Sequence, residues 1–403
     1  MTRSAAAVAI AALLVMDSPA SILAADPDAV ARHLSEAHAA VARGDANAAL
    51  RAFTAAVRED PSSAVARLQR GEFLLAAIPA ARDRESRHNM EQMAAGDFRT
   101  VIQADGESVW AAMARDRLAM LSGRVVLPVT PVTCDSRADA QSRTGYSHLR
   151  AGRHTEAAVA YQKATDACPA DPSLWTLYGN TMFVAGDLDR AEDLFKQALR
   201  LDPWHREAHR FYTTVWERRG QTARAYEQAV LAVVADPTYE LAWHALKEQT
   251  LRLAGQWRRV RNYRPSVTRG DDGKPNIVLP AELGKTVEKR WTIWVGMGFT
   301  EASLLADGAA PSSEIERARR VVETAVRFTR HLSTKEPEAR SPEFLALEAA
   351  MDAGFLDEAI FIGLLDARLA ADYVRHRNQQ SERLVDYVKR FVAPLPGGDP
   401  LRH

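Results

Sequence analysis

The amino-acid sequence predicts an all-α fold, a solenoid of helix hairpins, and three observations carry that prediction. Through the first two thirds of the chain the same residue types return at a period of about 34. Aromatic residues make up only 7% of the chain while alanine and arginine are abundant, a balance that favours helix over sheet. Glycine and proline recur at fixed places in each copy, where they turn the chain or stop a helix.

The chain is 403 residues long, enough for two or three domains. Its 52 basic and 52 acidic residues cancel, so no global field steers it toward nucleic acid or an anionic membrane. A hydrophobic content of 47% is that of a packed soluble protein. The N-terminus, 1–25, reads as a secretion signal. Arg3 gives a positive start, and Ala5 to Met16 is an apolar run of about a dozen residues, too short to span a bilayer as a mature helix. Small residues at Ser18-Pro19-Ala20 and Leu23-Ala24-Ala25 offer cleavage sites, with Ala25 preferred; a retained anchor is the alternative. The expected location is periplasmic or secreted, an oxidising compartment.

The repeat itself is explicit. The segment 172–205 carries Trp175, Gly179, Gly186, Ala191, Phe195, Ala198 and Pro203. One period earlier Gly145, Gly152, Ala157, Tyr161, Ala164 and Pro169 hold the same places. One period later Gly220, Ala225, Ala232 and Pro237 do so, with Ala229 in place of the aromatic. A further copy near the start has Gly44, Ala49, Phe53, Ala56 and Pro61. Small residues in the first helix admit the second helix closely. Tyr161 and Phe195 fill the space between hairpins, and the prolines end the second helix. This pattern resembles the tetratricopeptide-repeat (TPR) family, which implies a right-handed superhelix of helix hairpins.

A copy beginning with Gly71 and Leu74 is interrupted by a polar insertion at 79–88, expected as a solvated loop, before Ala94, Phe98 and Val101 resume it. A lone helix with Trp110 follows at about 108–121. The organisation expected is then an N-terminal repeat unit over 26–124, a linker over 125–137 containing VVLPVTPVT, and the main array over 138–257. Trp243 opens a last repeat whose second helix decays. An arginine-rich linker over 258–282, with Arg258, Arg259, Arg261, Arg264 and Arg269, leads to a helical C-terminal region over 283–393 and a disordered tail over 394–403. In that region Val287, Trp291, Trp294, Val295 and Gly298 follow helical spacing, with Gly296 and Gly298 weakening the helix end and the stripe expected to pack on the last repeat. Further helices are expected from Ser313 to about 333, then at 342–353, 355–374 and 379–392.

The resemblance implies a concave groove lined by fixed positions of each first helix, where extended peptides or helices bind. Those positions here are Arg143, Tyr146 and Arg150, then Thr176, Asn180 and Phe183, then Arg210, Thr214 and Arg218, then His244 and Arg252. Arginine predominates, with Glu217 and Glu248 interrupting. Such a surface suits an acidic or carboxylate-bearing segment, because guanidinium pairs with carboxylate through two hydrogen bonds. The carboxylate clamp of some TPR proteins is matched at Asn180 and Arg210 but not at Ser142, Tyr146 and Thr214.

Other chemistry is thinner. Cys134 and Cys168 fall at the same end of an antiparallel TPR hairpin, so a disulfide is expected there, with two free thiols as the alternative. His205 and His209 share a helical face but lack a third ligand, so they read as solvated groove positions and no metal is assigned. Gly284-Lys285-Thr286 imitates the end of a phosphate-binding loop, yet Leu279 stands where its first glycine belongs. No cofactor is expected. The function implied is a non-catalytic exported scaffold that binds a protein or peptide segment, with no nucleic acid. The alternatives are an assembly subunit of a cell-envelope or polysaccharide-export complex, or an enzyme with its site in the C-terminal helices.

Overall fold

The computed structural model describes residues 27–121 apart from Arg82 and Glu107, then 127, 132–134, 136–259, 265–270, 273–278, 291–306 and 313–397. The signal segment, Arg261, Arg264, Gly284-Lys285-Thr286, Val287 and the end of the tail lie outside these residues. The chain divides into two compact units, Met1–Arg124 with Ser136–Ala164, and Val125–Asp135 with Thr165–His403. The boundaries fall at both ends of 125–135 and again after Ala164. Cys134 is bonded to Cys168 (Cα–Cα 5.5 Å), which ties the residues before the 136–150 helix to the second unit.

In the first unit α1 (Pro27–Ala42) pairs with α2 (Ala46–Glu59), and α3 (Ala64–Ala77) with α4 (Arg84–Ala104). The fifth helix, α5 (Val109–Leu121), packs on α4 and is not a lone helix. α6 (Ser136–Arg150) follows, and α7 (His154–Ala167) begins in this unit and ends past its boundary at Ala164. The insertion at 79–88 is not a loop throughout. Pro79 lies in a single 3-10 turn, Ile78–Ala80, and Asp83 then accepts the Ser86 amide (2.7 Å) and starts α4, so residues 84–88 are helical. Polar composition hid a capping signal. Buried Asp97 of α4 accepts both Arg70 (2.8 Å) and Arg67 (3.1 Å) of α3, locking the interrupted hairpin in register.

The second unit opens with two regular hairpins, α8 (Pro172–Ala185) on α9 (Leu188–Leu201) and α10 (Arg206–Arg218) on α11 (Thr222–Ala235). Gly186 ends α8 with φ +91°, left-handed backbone that glycine adopts without steric cost, and Asp187 caps the next helix. The close approach of paired helices is set by one repeat position. A Cβ on Gly179 would lie 2.7 Å from the Phe195 ring, on Gly145 2.9 Å from Tyr161, and on Gly71 2.6 Å from Phe98. All three rings are fully buried.

After α12 (Glu240–Arg252) the regular pattern stops. The described residues of the predicted arginine-rich linker are instead structured. Arg259 pairs with buried Glu240 (2.7 Å) above the Trp243 ring, and β1 (Ser266–Arg269) and β2 (Pro275–Val278) form an antiparallel hairpin. That hairpin packs on α13 (Thr292–Ala306), which also packs on α14 (Glu314–Leu332). Trp294 is fully buried on α13. Gly298 does not weaken the helix. Its missing side chain admits Pro265, 2.9 Å from where a Cβ would stand, and the helix continues to Ala306.

α15 (Pro342–Asp352) matches its expected range, but the helix expected at 355–374 is two. α16 (Leu356–Gly363) stops, and Asp366 accepts the Arg368 and Leu369 amides to start a new turn before α17 (Ala370–Tyr387). The break expected after 374 is instead a kink at Gln380 inside α17, which ends in a π-helical turn, Val388–Val392. α17 lies on α11. Tyr373 donates to the Val234 carbonyl, Arg377 to Ala235, and Tyr226 to Ala393 (2.9 Å). The amides of Gln256 (2.9 Å) and Arg258 (2.8 Å) donate to the carbonyls of Pro394 and Val392. The start of the expected disordered tail is thus bound by backbone hydrogen bonds.

Two carboxylates give the second unit an acid sensitivity. Burial alone would push the Glu358 carboxyl up, but hydrogen bonds from His376 (3.1 Å) and Arg383 (2.8 Å) outweigh it and hold it at about 2. Burial acts the same way at Glu192, where Lys196, Arg219 and Tyr212 hold the group at about 2. Both lie below the ordinary 4.5, so their contribution to stability is complete above that pH and is lost as pH falls through it toward about 2. Thermal melts taken from neutral pH downward should show stability falling in that window. Glu358→Gln should lower stability at neutral pH and make the acid fall shallower; an unchanged slope would remove Glu358 from the account.

Candidate functional site

The first helices of the second unit, α8, α10 and α12, carry eight of the eleven predicted groove residues. Seven of them repeat at a spacing of 34 because each first helix starts at the same repeat offset, and Phe183 falls one offset before Arg218. His205 caps α10 by accepting the Ala208 amide at Nδ1 (3.2 Å), and Asp171 caps α8 through the Ser173 amide (2.8 Å).

The eight residues are not equivalent. Arg210 lies over the Phe211 ring, 3.7 Å from its centroid, and Arg218 over the Phe183 ring at 5.0 Å. Neither arginine has a carboxylate partner among the described residues, and Nε of Arg210 is buried with no acceptor. Asn180, half-buried on α8 one turn before Phe183, has no side-chain hydrogen bond among the described residues. Its amide is free to donate and accept.

The others are already occupied. Thr176 is buried, and its hydroxyl donates to the Pro172 carbonyl (2.9 Å), so it is withdrawn from the predicted groove surface. The Thr214 hydroxyl donates to the Phe211 carbonyl (2.6 Å). Arg252 approaches Glu217 at 3.8 Å, and Gln249 donates to the same carboxylate. His244 stands 3.9 Å from Glu248. Glu217 is therefore engaged from α12, which leaves Arg218 beside it unquenched. Arg143 and Tyr146 stand exposed on α6 in the first unit; the Arg150 side chain is outside the description.

Sequence reasoning missed Phe211 and Gln249. Phe211 follows Arg210 directly, so no helical-spacing rule marks it, yet it forms the ring platform under the guanidinium. It is anchored by stacking on fully buried Phe195 (6.1 Å between centroids). The predicted solvated role of His209 is also corrected. The ring is buried, with Nδ1 against Gln228 (2.9 Å) and Nε2 against the Pro203 carbonyl (2.9 Å). Burial pushes its pKa down. Among the described residues no His, Cys, Asp and Glu cluster is placed to hold a metal, and no helix is long and apolar enough to cross a membrane.

Helix hairpins that display polar and aromatic side chains along successive first helices define a protein-interaction scaffold. Family models described as tetratricopeptide repeat match residues 34–77, 135–172 and 172–215, and the chain is a tetratricopeptide-repeat protein. Among solved structures it is similar to the first TPR of Spaghetti (RPAP3) bound to HSP90 peptide SRMEEVD, at 22% identity over 31% of this chain and 99% of that one, with a TM-score of 0.28. It is similar also to YrrB, a TPR protein with an unusual peptide-binding site, at 18% identity over 53% and 90%, with a TM-score of 0.25. A third is MamA from Desulfovibrio magneticus RS-1, at 16% identity over 52% and 96%, with a TM-score of 0.25. No curated protein matches the chain.

Proposed function

We propose that this protein is a non-catalytic exported scaffold that holds an acidic or carboxylate-bearing segment of a partner protein along α8 and α10. The observation that carries this is the pair of arginines, Arg210 and Arg218, each seated on an aromatic ring and lacking a carboxylate among the described residues. Folded proteins rarely leave such groups unmatched beside a free amide, here Asn180, unless a ligand supplies the acceptors. The apolar N-terminal stretch and the Cys134–Cys168 bond support export to a periplasmic or extracellular setting.

The test is crosslinked capture from envelope extract with residues 26–403, run in parallel with an Asn180→Ala/Arg210→Glu double variant. Specific proteins captured by the parent and lost by the variant are the expected result. Equal capture by both would move recognition away from α8 and α10.

A further inference from the structure

Arginine-on-aromatic stacks recur in the second unit, and about half are closed by an internal anion, while Arg377 on Tyr373 is closed by the Ala235 carbonyl. Arg259 on Trp243 pairs with Glu240, Arg206 on Tyr239 with Asp236, Arg219 on Trp216 with Glu192, and Arg383 on Phe355 with Glu358. Arg190 on Tyr178 and Arg224 on Trp216 have no carboxylate among the described residues, but both stand on second helices. Arg210 and Arg218 share the open arrangement on one first helix, flanked by Asn180.

Their spacing adds information that net charge does not. Eight positions along α10 correspond to roughly 12 Å of helix axis and about 80° of turn, which keeps both sites on one broad side of the helix. An extended chain advances about 3.3 Å per residue and presents alternate side chains to one face, so two residues four apart stand roughly 13 Å from one another on the same side. Each guanidinium carbon sits over its ring, which restricts where the N–H groups can be presented. Phe211 is itself fixed on buried Phe195. A platform fixed in this way favours bidentate carboxylate geometry at set separations over diffuse attraction. Glu217 lies between the two sites in sequence but is taken up by Gln249 and Arg252.

We infer that the segment bound on α10 is extended and carries two side-chain carboxylates four residues apart, one on Arg210 and one on Arg218. This rests on the proposed groove function and sharpens it, since the ligand is selected by an internal acidic spacing and needs no free chain terminus. Asn180 faces the backbone between the two acids and supplies a donor and an acceptor to it.

The probe is a library of N-acetylated, C-amidated nonapeptides, each with two glutamates set two, three, four or six residues apart in an uncharged randomised background. Binding to the protein is read by fluorescence anisotropy. The four-residue spacing should bind best, by about tenfold or more over the others. Arg210→Glu and Arg218→Glu should each abolish that preference. Circular dichroism confirms folding, and the Arg210→Glu/Arg218→Glu double variant should instead prefer the four-residue spacing in a counterpart library that carries two lysines in place of the glutamates. Equal binding across spacings, absence of any selected pair, or selected peptides that bind the variants unchanged would overturn the inference. If partner capture is still lost in the Asn180→Ala/Arg210→Glu variant while the library shows no spacing preference, the groove reading stands and this one falls.

Discussion

Gly179→Val should destabilise the second unit by about 3 kcal/mol or more, because the new side chain has nowhere to go. A Cβ alone would sit 2.7 Å from the Phe195 ring, which is fully buried and stacked on Phe211. Interiors packed to crystal density yield little to such an insertion. The gain in helix propensity on losing glycine, about 1 kcal/mol at most, does not offset it. Urea unfolding of Gly179→Val, Phe195→Leu and the double variant forms a cycle that isolates the contact. A coupling of about 1 kcal/mol or more, with the smaller ring substitute relieving the valine, is expected. Strict additivity would mean that Gly179 is needed for another reason. The same substitution should also shift Phe211, and with it the Arg210 platform, so ligand binding should weaken before the fold is lost.

The second large effect is at the disulfide. Cys134 and Cys168 are 34 residues apart in sequence, and closing a loop of that length restricts the unfolded chain by about 3–4 kcal/mol. Cys134→Ser/Cys168→Ser should lose stability of that order under oxidising conditions and show no further loss on adding reductant. The parent should fall to the level of the variant when reduced. Equal stability of parent and variant would show that the bond contributes nothing through the unfolded state. A free thiol in protein recovered from its producing cells would count against export as well.

The hairpins were legible in sequence because repetition makes packing visible. Gly145 and Gly179 meet Tyr161 and Phe195 in the same way, as do Gly71 and Phe98 despite the insertion, so one geometric requirement leaves one recurring residue pattern. Outside the repeat the same residue types carry different meanings. Gly298 reads as a helix breaker but exists to admit Pro265, and Arg259 reads as a solvated linker residue but closes on Glu240, 19 positions earlier. Asp83 and Asp366 start helical turns that polar composition concealed. In the groove, spacing identified Arg210, Arg218, Phe183 and Asn180 as a set. Thr176 was misplaced because a hydroxyl on a helix satisfies itself on the preceding turn, a choice that residue type does not reveal. Phe211 was missed because a stacking partner one residue away obeys no helical period.

The covering of α11 by α17 has a consequence during synthesis. Tyr226 meets its partner 167 residues later in the chain, and the carbonyls of Val234 and Ala235 meet theirs after 139 and 142. At ribosomal rates of about 5–20 residues per second, the apolar flank of α11 waits roughly ten to thirty seconds for its cover. The α1–α2 and α8–α9 hairpins, whose contacts are local, can close as they emerge. One polypeptide is thus born with an early-folding part and a late one.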